Sequence, residues 1–96
     1  MSGYVLSVKA RSDLEGIWIY SAEHWGIERA ERYLRELWVA IESVSENPRR
    51  GSSCDAVRAG HFKILIGSHV ILYRIRHKKV AVVRILHQRM DIPRHL

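Results

Sequence analysis

The chain has 96 residues, 47% of them hydrophobic, with two prolines and one cysteine. That is enough for a single domain, 1–96, with one modest core, and it excludes a multidomain enzyme and a disordered chain. The net charge of +6 is unevenly spread: residues 1–48 carry five basic and eight acidic side chains, residues 49–96 eleven basic and two acidic. The second half is therefore a cationic surface suited to an anionic partner, either nucleic acid or an acidic protein segment. The longest stretch without a charged residue, Ile64–Tyr73, is ten residues, about half of the ~20 that a membrane span needs. The opening MSGYVLSVK lacks the basic and then long apolar run of a secretory signal. Cys54 has no partner for an internal disulfide, so a cytoplasmic location is expected.

Residues 4–9, YVLSVK, read as a short strand of aromatic and β-branched residues. The period then changes: Leu14, Ile17, Trp18, Ala22 and Trp25 share one helical face, with Ser12 or Asp13 as the expected cap. Gly26, free to take positive φ, ends this helix. In a second helix Ala30, Tyr33, Leu34, Leu37, Trp38, Ile41 and Val44 keep a 3–4 spacing. Glu28–Arg32, Glu31–Arg35 and Arg32–Glu36 are expected to pair on its outer face, each worth only ~0.2–0.5 kcal/mol. Asn47-Pro48 stops it. The three tryptophans and Tyr33 read as core, and Trp38→Ala is expected to cost ~3–5 kcal/mol. Residues 47–60 are irregular, with Arg49 and Arg50 solvated. Three strands follow, Phe62–Ile66, Val70–Arg76 and Val80–His87, joined by hairpin turns at Gly67-Ser68 and His77–Lys79. The order β-α-α-β-β-β predicts a two-layer α+β domain, an antiparallel sheet with both helices packed on one face.

Alternation along the strands assigns the other face. Val70, Leu72, Arg74 and Arg76 point one way, as do Val80, Val82, Arg84 and Leu86. Ile71, Tyr73 and Ile75, with Ala81, Val83, Ile85 and His87, point the other way. The mixed faces, with arginines among aliphatics, are expected to form an open protein-binding side.

Little chemistry is visible. Gly-rich phosphate loops are absent. The six histidines lack the clustered spacing of a metal site, and no cofactor is expected. Cys54 reads as an ordinary loop thiol. His87 is the best acid–base candidate, since imidazole titrates near neutrality. Its alternative role is to fix the tail through backbone or Asp91. A metal-free nuclease would use His87 with Arg74 and Arg84, but it needs a base, an acid and a cation cluster converging on one phosphate.

The segments WGIERAERYLRELWVAIE (25–42), NPRRGSSCDAVRAG (47–60), GSHVILYRI (67–75) and VVRILHQRMDIPRHL (82–96) resemble the ParE family, within the ParE/RelE superfamily of type II toxin–antitoxin toxins. The run Arg84-Ile-Leu-His-Gln-Arg-Met-Asp91 is the most specific. The resemblance implies a RelE/ParE-like fold, a toxin that traps DNA gyrase on cleaved DNA, and a ParD-like antitoxin whose acidic tail wraps the toxin in a hetero-oligomer. It implies a non-enzyme without sequence-specific nucleic-acid binding. Antitoxin contacts are expected at Lys63, Arg74, Arg76, Arg84, Leu72 and Val82, and gyrase contacts at Arg89, Met90, Asp91, Arg94, His95 and Leu96. The RelE and YoeB branch cuts messenger RNA on the ribosome and carries an arginine where this chain has Val70, and a tyrosine or basic cluster in the tail. Here His87 is followed by Gln88. Where ParE sequences have an aromatic and then arginine after Gly60, this chain has His61, Phe62 and Lys63. The alternatives are a ribosome-dependent ribonuclease, or a non-toxic module that only binds the antitoxin.

Overall fold

The computed structural model describes residues 3–96. Strand β1 (Tyr4–Leu6) is followed by helices α1 (Val8–Trp25) and α2 (Ile27–Glu46), then by β2 (Ser52–Ser53), β3 (His61–Ile66), β4 (His69–Arg76) and β5 (Lys79–His87). Short 3-10 turns occupy Pro48–Arg50 and Ile92–His95. The sheet order is β1-β5-β4-β3-β2. The expected two-layer α+β arrangement is present, with two departures from the expected antiparallel four-stranded sheet. The edge strand β1 runs parallel to β5, and the two-residue β2 extends the opposite edge.

The first strand is half the length its composition suggests. Ser7, in extended conformation, caps α1 by accepting the Ala10 N–H at 3.0 Å. Its hydroxyl donates to the Val83 carbonyl at 2.7 Å. Satisfying an orphan helix donor outweighs the β-preference of Val8, and the helix starts well before Ser12 and Asp13. Gly26 alone separates the helices, as expected. At φ 90° its N–H donates to Ala22 O and its carbonyl accepts from Ala30 N–H. Asn47 and Pro48 end α2. Among the described residues none of the three expected α2 charge pairs closes. The ion pairs that form are Asp13–Arg84 and the loose Asp91–Arg94.

The main core joins Ala10, Leu14 and Ile17 of α1 and Leu37, Ala40, Ile41 and Val44 of α2 to Ile71 and Tyr73 of β4 and Val80, Val82 and Ile85 of β5. The tryptophans are not part of it: Trp18, Trp25 and Trp38 are 37%, 49% and 36% exposed. On α1 the buried stripe is Ala10, Leu14, Ile17 and Ser21, and the indoles fall at its margin.

One irregularity reorganises the sheet faces. Leu72 pairs with Arg84 but Tyr73 pairs with Val82, so Val83 is an extra residue, a β-bulge. Before it, Val80 and Val82 face the helices. After it, Ile85 does. Strict alternation puts Val82 on the same side as Arg84 and Leu86, and the bulge reverses that assignment. The bulge lies where β1 ends, at the carbonyl bound by Ser7.

Candidate functional site

The reverse face of the sheet is partly covered. Val70, Leu72 and Leu86 form a second cluster with Cys54, and Ile92 and Leu96 pack on it. The open side expected from the sequence is thus partly plugged by Cys54 and the chain's own C-terminal turn. Leu72 is fully buried and Val82 is 1% exposed on the helix side, so neither presents a contact surface. Burial, only partly offset by Lys63, pushes the Cys54 thiol up, which disfavours the thiolate.

Arg84 is also committed internally. Its guanidinium donates twice to the Asp13 carboxylate, both at 2.9 Å, and once to the His95 carbonyl at 2.7 Å. Asp13 further accepts the Ile85 N–H at 2.9 Å, a strand-edge donor beyond the end of β1. Asp13, expected as a helix cap, is instead a clasp joining α1, β5 and the tail. The hydrogen bonds and charge of Asp13 raise the Arg84 pKa, against the effect of burial.

Arg74 and Lys63 are half-buried and Arg76 is exposed. Lys63 lies opposite Leu72 and His61 opposite Arg74. This makes Lys63 and Arg74 diagonal neighbours within long-side-chain reach, ~7–8 Å. Leu65, 57% exposed, shares their face. In the tail Arg89, Met90, Asp91 and Arg94 are exposed, whereas His95 and Leu96 are half-buried. Leu96 packs on the second cluster, so the end of the tail has a core duty. The three residues of a nuclease reading are not assembled: Arg84 is held by Asp13, Arg74 lies opposite Ala81 toward the far end of β4, and His87 lies opposite His69.

At the His69 and His87 ends of β4 and β5 a groove of about 1040 Å³ opens between the strand ends and both helices. Its polar centre is Tyr33. The hydroxyl lies 2.6 Å from His69 Nδ1, 3.2 Å from the Ile66 carbonyl and 3.1 Å from the Ser68 N–H, which donates to it. The His69 and His87 rings meet edge-on at 5.4 Å. Burial, and then the neighbouring His87, hold the His69 pKa below its usual value, with Asp13 opposing. This favours the neutral imidazole, and its Nδ1 shares a hydrogen bond with the Tyr33 hydroxyl. Tyr33 is itself pushed up, mainly by burial, and stays a phenol. Sequence reasoning read Tyr33 as core and gave His69 no role. The signal lay in register, because the β4–β5 hairpin pairs His69 with His87.

The family described as "ParE toxin of type II toxin-antitoxin system, parDE" matches residues 4–92. The chain belongs to the ParE toxin family. It is 47% identical over 96 residues to Toxin ParE1 of Mycobacterium tuberculosis, covering 99% of this chain and 98% of that protein. It is 43% identical to Toxin ParE1 of Caulobacter vibrioides, covering 100% and 99%. Among solved structures, the chromosomal ParDE system of P. aeruginosa shares the fold, with TM-score 0.79 and 17% identity over 91% of this chain and 96% of that one. The RelBE2 toxin–antitoxin complex of Mycobacterium tuberculosis aligns with TM-score 0.68 and 26% identity over 90% and 96%. The chain thus has the RelE/ParE-like fold expected from its sequence. Among its described residues no helix is long and apolar enough to cross a membrane.

Proposed function

We propose that this ParE-family toxin is a non-catalytic poison of DNA gyrase, working in the cytoplasm and neutralised by a ParD-like antitoxin. The observation that carries the non-catalytic part is the dispersal of His87, Arg74 and Arg84. The Arg84 guanidinium is already taken by Asp13 and the His95 carbonyl. Gyrase contacts are proposed at the exposed part of the tail, Arg89, Met90, Asp91 and Arg94, with His95 and Leu96 anchoring it. Purified toxin added to gyrase, ATP and supercoiled plasmid is expected to accumulate cleaved DNA. If none accumulates across a wide concentration range, the target is wrong.

The antitoxin is proposed to lay an acidic segment along Lys63, Arg74 and Arg76, with Leu65 as an apolar anchor beside them. Arg84, Leu72 and Val82 leave this set because the first is paired and the others are buried. Arg74→Glu should leave folding intact and weaken the complex. Unchanged affinity would mean that the antitoxin uses another face.

A further inference from the structure

The groove at the strand ends is not explained by core packing, and three observations concern what it holds. First, its walls carry cations: Arg29 and Arg32 of α2 and Arg89 line it beside His69 and His87. None of these arginines has an ion-pair partner among the described residues. The acidic groups that line it are Asp13, neutralised by Arg84, and Glu36. Second, two aromatic rings at one end are about half exposed, each with one face engaged by a neighbour. Trp25 is 49% and Tyr20 55% exposed. The Arg29 guanidinium sits 5.2 Å from the Trp25 ring centre, and Tyr20 stacks on His24 with centroids 3.9 Å apart. Third, Gly16 lines the groove from the middle of α1, where glycine weakens a helix. A Cβ there would meet nothing within 4 Å, so no contact inside the chain requires the glycine. What its missing side chain leaves is room.

Arginines without acidic partners, half-exposed aromatic rings and a cleared floor match what single-stranded nucleic acid offers, a phosphate chain with stackable bases. An acidic peptide would use the arginines but not the rings. We propose that this groove binds single-stranded nucleic acid without sequence preference, the arginines meeting phosphates and Trp25 and Tyr20 stacking on bases. The site is separate from the Lys63–Arg74–Arg76 strip. It does not rest on gyrase as the target, so a negative gyrase assay leaves it standing.

The test is binding of a short fluorescein-labelled oligothymidylate to the full chain, read by anisotropy, with a glutamate oligopeptide of equal charge as competitor. Wild type should bind in the ~1–100 µM range, with a log–log salt slope near about −2 for three phosphate contacts. Arg29→Glu should weaken binding about tenfold or more. So should Gly16→Leu, which fills the groove with a good helix former, leaves the charge unchanged and keeps the thermal midpoint at or above wild type. Arg76→Glu makes the same charge change at the other end of β4 and should shift affinity less than about twofold, as distance and screening require. The proposal is overturned if wild type does not bind or if the glutamate peptide competes as well as unlabelled oligothymidylate. It is equally overturned if folded Gly16→Leu binds like wild type.

Discussion

Replacing Asp13 by alanine tests the clasp that ties α1, β5 and the tail together. The carboxylate accepts two Arg84 bonds and the Ile85 N–H, all at 2.9 Å, and the two side chains are 17% and 14% exposed. Breaking a fully buried ion pair costs ~3–5 kcal/mol, and a surface pair is worth ~0–1 kcal/mol. The residual exposure lets water reach the freed guanidinium, and Arg84 keeps the His95 carbonyl. The cost should therefore be about 2–3 kcal/mol, including the strand N–H left without a partner. A chain of this length has roughly 5–14 kcal/mol of stability in total, so the variant folds but is visibly weakened. Its thermal midpoint should fall by about 10–20 °C. Urea unfolding of Asp13→Ala, Arg84→Met and the double variant forms a cycle, and the expected coupling is about 1–2 kcal/mol. A loss under about 0.5 kcal/mol for Asp13→Ala, or strictly additive single variants, would refute the claim that the pair acts as a unit.

Tyr73→Phe removes a hydroxyl that donates to Pro48 O at 2.8 Å and accepts Gly51 N–H at 2.9 Å. It should cost about 1–3 kcal/mol in chemical unfolding and speed amide exchange around Gly51. For His69 the folded pKa lies below the unfolded value of 6.5. The unfolded chain then binds the proton first, and the contribution is fully present above that value and is lost as pH falls through the folded one. His69→Asn should flatten the pH dependence of unfolding below about pH 7 relative to wild type. Leu37→Ala, at a fully buried site, should cost about 3–4 kcal/mol, while Trp38→Ala should cost only about 2 kcal/mol because its ring is 36% exposed. Thermal melts showing the reverse order would return Trp38 to the core.

The parts of this molecule legible in its sequence are those set by local periodicity. The α2 stripe at Ala30, Leu37, Ile41 and Val44, the break at Asn47-Pro48 and the three long strands depend on neighbours a few residues apart, and the structure has them. What sequence misplaced depends on partners far along the chain. Ser7 looks like a strand residue until its hydroxyl is seen on Val83, 76 positions away. Asp13 looks like a cap until Arg84 arrives from 71 positions away. The tryptophans follow the helical stripe closely enough to pass for core, but two helices on one sheet bury a narrow band, and the indoles project past its edge. The reverse face looked open because strand alternation says nothing about where a tail will fold. Ile92 and Leu96 close over Leu72 and Leu86, which four apolar side chains in one small patch would favour.

The bulge at Val83 explains why the groove exists at all. With strict alternation from Val80 and Val82, His87 would lie on the reverse face, away from α2 and Tyr33. The extra residue shifts Ile85 and His87 to the helix side and sends Arg84 and Leu86 to the other. The same one-residue insertion therefore brings His87 beside His69, offers Arg84 to Asp13 and the tail, and seats Leu86 in the second cluster. Ser7 fastens the point of insertion, since its hydroxyl caps α1 and holds the Val83 carbonyl. A deviation that costs the sheet part of its ladder persists because helix capping, an ion pair and a hydrophobic cluster are all built on it. On this argument the tail's anchorage and the groove's composition are one structural decision, although they face opposite sides of the sheet.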